Sequence, residues 1–269
     1  MIIQKRLLSF LSIQKVWEAC VHGGVPRRSI FTNAQPHVGR AMVANLDVKD
    51  FFPTTTISKV QEALERNQVS PDVAVLIAQL TTNCLDTGGE RCLPQGAPTS
   101  TFLANLVFEA GDARVLRLCE RHKLRYTRYV DDLTLSGDMD FRHLRGGLLQ
   151  VILDFGYAIS LRKVRFCGRN ERQVVTGLVV NDRLRPTKEF VWELKRLIRE
   201  CFWPGGVGID IMAAEAGRTI AKLRARIEGR INHLRQFDRR KAREVRALMF
   251  PGTSCAVKPR SRLKLLREH

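Results

Sequence analysis

Residues 125–137 read RYTRYVDDLTLSG, and residues 42–48 read MVANLDV. In the first stretch two β-prone runs, RYTRYV and LTLSG, flank the adjacent carboxylates Asp131 and Asp132, which predicts a hairpin with the pair at its tip. The second reads as a buried strand that ends at Asp47, before the acidic turn KDFFP. Adjacent carboxylates between apolar strands repel one another and resist burial. A divalent cation relieves both costs. Magnesium takes a few carboxylates together with phosphate oxygens, and two such ions can clamp the attacking and leaving oxygens of an in-line phosphoryl transfer. A lone aspartate after one strand and a pair in a neighbouring hairpin therefore suit nucleotidyl transfer. Taken singly, each is read equally well as a helix cap or a plain turn.

Composition agrees with a nucleic-acid partner. Lys and Arg number 45 against 27 Asp and Glu, a net charge of +18 and a pI near 10.3. Such an excess points to a polyanion, nucleic acid first and an anionic membrane surface second. The charge is uneven: residues 187–269 hold 20 basic and 9 acidic side chains, net +11. A chain of 269 residues, 44% hydrophobic, can bury one large core or two smaller ones. No apolar run reaches the roughly 18 residues of a membrane span. The opening MIIQKRLLSFLSIQKVW is interrupted by Gln4, Lys5, Arg6, Gln14 and Lys15 and reads as an amphipathic core helix. Seven scattered cysteines without a C-x-x-C pair argue against zinc and disulfides and predict a cytoplasmic protein.

Periodicity predicts helices over 3–20, 57–68, 71–80, 99–122, 141–155 and 189–200, then a long basic helix over 211–237. Residues 172–181, RQVVTGLVVN, read as one strand, and FWPGGVG as a break between helices. The last residues, SCAVKPRSRLKLLREH, read as a loosely held basic tail.

NLDVKDFF, LPQGAPTSTFLANL (93–106) and YVDDLTLSG, in that order, resemble the palm motifs of reverse transcriptases. Asn33-Ala34-Gln35-Pro36-His37 and Val175-Thr176-Gly177 are similar to the N-A-x-x-H and V-T-G patterns of the retron enzymes, and IEGRINHLRQF to a helix of their thumb. The resemblance spans about Ile3 to Met249. It implies an α/β (α+β) right-hand polymerase: palm with partial fingers over 1–181, a basic helical thumb over 182–250, and a tail over 251–269. It implies that Asp47 and Asp131 bind two Mg2+ ions with Asp132 in support, and that Phe52 excludes a ribose 2′-hydroxyl. Gln95 and Gly96 would line the nucleotide pocket, and Lys163 would donate a proton to pyrophosphate or merely contact phosphate. Asn33, His37, Val175, Thr176 and Gly177, with Arg224, Arg226 and Arg230, would contact nucleic acid. The partners implied are a structured non-coding RNA as template, the RNA–DNA hybrid, dNTPs and an effector protein, with no membrane. Synthesis would start from an internal 2′-hydroxyl and leave a branched RNA–DNA product.

The chain departs from that pattern in two places. No fingers hairpin of the I-P-K…G…R-x-I type precedes the first helix, so weak use of dNTPs is expected, with Arg27 and Arg28 the basic residues nearest to a substitute. Gly24 stands where an aromatic often follows His-Gly. Two other readings stay open: another bacterial reverse transcriptase (group II intron, diversity-generating or phage-defence type), and a non-catalytic RNA-binding remnant of the fold.

Overall fold

The computed structural model describes residues 2–13, 15–84 and 89–251, and the chain divides into two compact units, Met1–Leu184 and Arg185–His269. The first unit is built on a four-stranded antiparallel sheet, β1 (Met42–Asp47), β2 (Arg125–Tyr129), β3 (Asp132–Gly137) and β4 (Arg165–Gly168), in the order β2-β3-β1-β4. Alternation fails in β1 because Met42, Val43, Ala44 and Leu46 are all buried, as expected of a strand covered on both faces.

Helices α1 (Ile2–Ser12), α2 (Ile30–Ala34), α3 (Phe51–Thr54), α4 (Ile57–Arg66), α5 (Pro71–Thr81), α6 (Ser100–Arg121) and α7 (Arg145–Asp154) complete this unit. The centre is α6, which buries Phe102, Leu103, Ala104, Leu106, Val107 and Phe108 in the main core. Pro71 occupies the first turn of α5, where its missing N–H would be unpaired in any case.

Three expectations are corrected here. The helix predicted over 3–20 stops at Ser12, because the following chain pairs with β2 instead. The Arg128 N–H donates to the Cys20 carbonyl (2.7 Å) and the His22 N–H to the Arg128 carbonyl (2.8 Å). Nor is α1 a core helix: none of its residues is buried, and Leu7, Leu8 and Leu11 only lean on the core. The single strand predicted over 172–181 is a hairpin of β5 (Val174–Val175) and β6 (Leu178–Val179). Thr176 and Gly177 form its turn, with φ of 44° and 81°. Two left-handed residues in a row match the twist of a tight hairpin.

The second unit is helical: α8 (Lys188–Phe202), α9 (Ile209–Glu215), α10 (Ile220–Phe237) and α11 (Arg239–Ala247). Its own core gathers Leu194, Ile198, Leu223, Ile227, Ile231, Leu234 and Val245. The long helix expected over 211–237 is two. The chain turns at Gly217 (φ 59°), and Thr219 then caps α10 by accepting from the Lys222 N–H. The basic tail read at 254–269 lies outside the described residues. Among the described residues no helix is long and apolar enough to cross a membrane.

Candidate active site

Asp47 closes β1 and Asp132 opens β3, and the antiparallel register sets the two directly opposite each other. Asp132 also faces Tyr129 across the β2–β3 hairpin, which leaves Val130 and Asp131 as its two-residue tip. Val130 there has φ of 62°, a costly conformation for a β-branched residue. The tip is held from three sides. The Val48 N–H donates to the Asp131 carbonyl (3.0 Å). The Arg128 guanidinium donates to the Val130 carbonyl (2.9 Å). Gly23 packs behind it so closely that a Cβ would lie 2.5 Å from the Val130 nitrogen.

Arg128 is wholly buried inside the sheet. Its Nε and Nη2 donate to the two oxygens of an equally buried Asp112 on α6 (2.8 and 2.6 Å), and its Nη1 donates to Asn105 Oδ1 (2.7 Å). The Tyr126 hydroxyl adds a bond to Asp112 (2.7 Å), and Asn105 Nδ2 donates to the Gly23 carbonyl (2.7 Å). One network thus connects the 21–25 loop, α6 and the hairpin tip. Sequence reasoning alone misses Arg128, Asp112, Asn105 and Gly23. The signals that could have found them are an arginine amid strand residues and an aspartate in a long buried helix.

The carboxylates crowd one another. Burial, then the charges of Asp131 and Asp47, pushes the Asp132 carboxyl up to about 6. Partial burial raises Asp131 as well, and Asp47 adds to it. Among the described residues the cation in contact is Lys163, whose Nζ lies 3.0 Å from each Asp47 oxygen. It is placed by the segment that precedes β4: the Ser160 N–H donates to the Asp47 carbonyl and the Lys163 N–H to the Ser160 carbonyl, each at 2.8 Å. Among the described residues no three His, Cys, Asp or Glu side chains are gathered into a ready-made metal cluster. The donor set is nevertheless hard, anionic and under-neutralised. It fits a divalent cation that completes its shell with phosphate oxygens.

Phe51 is core, in edge contact with Phe108, whereas Phe52 is only half-buried at the start of α3. Gln95 and the left-handed Gly96 are exposed in the 93–98 loop, which is tied to the end of α3 by the Leu93 N–H donating to Thr55 O (3.1 Å). Gly24 is left-handed (φ 72°), and a side chain there would run into Thr101, which accounts for the missing aromatic.

The expected nucleic-acid contacts are partly corrected. Asn33, His37 and Val175 are each 0% exposed and cannot touch a ligand in this conformation. His37 instead bridges β2 and β3, with its ring nitrogens 2.8 Å from Thr127 Oγ1 and 2.7 Å from Ser136 Oγ. Burial pushes its pKa down to about 3, so the ring is neutral. Asn33 Nδ2 reaches Thr176 Oγ1 (3.4 Å), so the N-A-x-x-H and V-T-G pieces meet and fix the β5–β6 turn on α2. Thr176 and Gly177 remain accessible. In the second unit Arg224 and Arg226 are exposed, Arg224 lying over the Phe202 ring (5.5 Å), whereas Arg230 is drawn to Glu193 (3.3 Å) and lies over Phe190. Arg28 is likewise spent on backbone carbonyls, those of Trp17, Glu18 and Val21. In this conformation Arg28 is therefore not available to a phosphate.

The sequence profile of the family "Reverse transcriptase (RNA-dependent DNA polymerase)" matches residues 1–186. The retron Mx65 reverse transcriptase of Myxococcus xanthus is 35% identical over 213 residues, 74% of this chain and 50% of that protein. The retron Ec86 enzyme of Escherichia coli is 34% identical over 181 residues, 65% of this chain and 54% of that protein. The chain therefore spans about half the length of these curated relatives. Among solved structures, the foamy viral protease-reverse transcriptase superposes on 84% of this chain and 33% of its own, with a TM-score of 0.50 at 19% identity. The sheet, its acidic tip and these matches together place the chain in the reverse transcriptase family, with retron enzymes among its relatives.

Proposed function

We propose that this chain is an RNA-directed DNA polymerase of retron type. The observation that carries this is the register that faces Asp47 with Asp132 and leaves Asp131 at the hairpin tip. Asp47 and Asp131 would hold two magnesium ions, with Asp132 in support. Such ions supply the positive charge that offsets the charge spread over a transferring phosphoryl group. Phe52 would close the space beside the sugar, and Gln95 and Gly96 would line the pocket for the incoming dNTP. Lys163 would leave Asp47 and offer its ammonium proton to the departing pyrophosphate oxygen. The Thr176–Gly177 turn would support the primer end, held in place by Asn33.

The second unit would act as the thumb, with Arg224 and Arg226 on the phosphates of an RNA–DNA hybrid. The template would be a structured non-coding RNA, as the resemblance of the 33–37 and 175–177 pieces to retron enzymes implies, with an effector protein as further partner. The test is extension of a DNA primer on an RNA template with dNTPs and magnesium. Incorporation by the wild type and not by Asp131→Asn supports the reading. Absence of incorporation by the wild type across plain and self-priming structured templates overturns it.

A further inference from the structure

Helix α8 carries two opposed stripes. Val191, Leu194, Ile198 and Cys201 are buried in the core of the second unit. The other stripe, Trp192, Arg196 and Arg199 on the helix and Trp203 at its C-cap, follows a 4-3-4 spacing and is exposed along its whole length. Trp192 is 62% exposed and Trp203 42%, unusual for the residue that gains most from burial. The arginines are paired with the indoles: Arg196 lies over the Trp192 ring (5.2 Å to the centroid) and Arg199 over that of Trp203 (6.0 Å). Between them is an open cavity of about 420 Å³, lined also by Glu200, Pro204, Gly205 and Gly206. That volume lies in the range of about 300–1,000 Å³ found for ligand clefts.

The cavity is built, not left over. Trp203 Nε1 donates to the Leu248 carbonyl (2.8 Å), which fixes the indole by its edge and leaves the ring system at the surface. The following loop folds back on the helix end. The Gly206 N–H donates to Trp203 O and the Gly208 N–H to Glu200 O, each at 2.9 Å. A Cβ on Gly206 would lie 2.6 Å from the carbonyl oxygens of Arg199 and Glu200. Only glycine lets the loop close there.

We infer that this stripe is a binding site for unpaired nucleotides of single-stranded RNA, with a base in the Trp192–Trp203 cavity and flanking phosphates on Arg196 and Arg199. The inference is independent of the polymerase reading, since it uses none of the aspartates. Indole and guanidinium planes take the flat face of a base, and a duplex hides those faces by stacking. Glu200 disfavours a phosphate inside the cavity. Its carboxylate accepts from a base's exocyclic amino group, as acidic side chains do when they read cytosine. Tryptophan and arginine are also the residues of protein–protein hot spots. Charge favours RNA: among the described residues that line the cavity two arginines face one carboxylate, Glu200, in a stretch, residues 187–269, that is net +11 in sequence.

The test compares binding of a labelled single-stranded RNA and a blunt RNA duplex to the full chain at fixed salt. Trp192→Ala, at a surface position, is expected to weaken the single strand about tenfold, as for loss of one base–aromatic stack. Duplex affinity should change less than about twofold, and Trp192→Phe should restore most of the loss, since a smaller ring still stacks. RNA carrying 4-thiouridine should photocrosslink to the peptide holding Trp192 or Trp203. Equal weakening of both RNAs, or no weakening of either together with no crosslink there, overturns the inference; the second result would mark the stripe as a protein-docking face. Magnesium-dependent extension of a plain primer–template is read in parallel, and its failure bears on the catalytic assignment alone.

Discussion

Asp132 keeps access to solvent at the sheet end, but its carboxyl is partly buried, and that burial with the two neighbouring carboxylates pushes its pKa up to about 6, against 3.8 normally. The folded state therefore binds its proton more tightly than the unfolded state does. Stability is lost as pH rises from about 4 to 6, and the deficit is complete above that window. Asp132→Asn in EDTA is accordingly expected to raise Tm at about pH 7.5 and to match the wild type at about pH 3.5. Solvent screening limits the gain to about 1 kcal/mol, or about 2–4 °C. Calorimetry showing a lower Tm for the variant at the higher pH would mean that burial and the neighbouring carboxylates do not destabilise the charged form of Asp132. Asp131→Asn should cut extension on the order of a thousandfold, about 4 kcal/mol of barrier, with hybrid affinity unchanged. Phe52→Ala should admit ribonucleotides, read as a lower dNTP-over-rNTP ratio in single-nucleotide addition. Of these residues the aspartates are legible in the sequence, because a carboxylate pair set between two β-prone runs is costly without a cation to neutralise it. His37 is not. Its spacing marks it out, but only the sheet shows that both ring nitrogens are engaged by Thr127 and Ser136.

Elements with an uninterrupted pattern are readable. The strand β1, the Asp-Asp hairpin and helices α4, α5 and α6 lie within a residue or two of their predicted bounds. The misread elements are those where tertiary contacts override local pattern. Residues 15–20 have helical periodicity, yet Cys20 pairs with Arg128 on β2. The run 172–181 is rich in β-branched residues, and only the left-handed Thr176 and Gly177 split it. One of the three holds on the strained β2–β3 tip is Arg128, whose charge the buried Asp112 neutralises, which gives a prediction at this scale. Arg128→Met leaves Asp112 charged and unpaired in the core, at a cost of about 3–5 kcal/mol in a urea melt. Combining it with Asp112→Leu should recover most of that stability, since an apolar pair of similar size replaces the ions. Activity should not return with it, because the Val130 carbonyl still lacks its donor and the tip loosens. A double variant with recovered stability and wild-type kcat would show that Arg128 serves the fold alone.

At the scale of the whole molecule the excess of basic residues is the dominant physical fact, and it is fully visible in the composition. What composition cannot show is which cations are available. Arg28 is engaged with backbone carbonyls, Arg128 with Asp112, and Arg230 with Glu193 and Phe190. Lys15 is held by Glu109 at 2.8 Å. Net charge therefore overstates the number of phosphate contacts, whereas the salt dependence of binding counts the contacts made. Each neutralised phosphate releases counterions and adds about 0.9 to the slope of log K against log salt on a duplex. Replacing Arg224 and Arg226 by alanine should lower that slope by about 2 on an RNA–DNA hybrid, with α10 still folded by circular dichroism. Replacing Arg230 should leave the slope within about 0.3 of the wild type and lower Tm instead, because its guanidinium joins α10 to α8. The measurement is a binding titration at several salt concentrations for each variant. A slope unchanged by the Arg224 and Arg226 pair would place the hybrid on another face of the molecule, and a drop caused by Arg230 would mean its ion pair opens on binding.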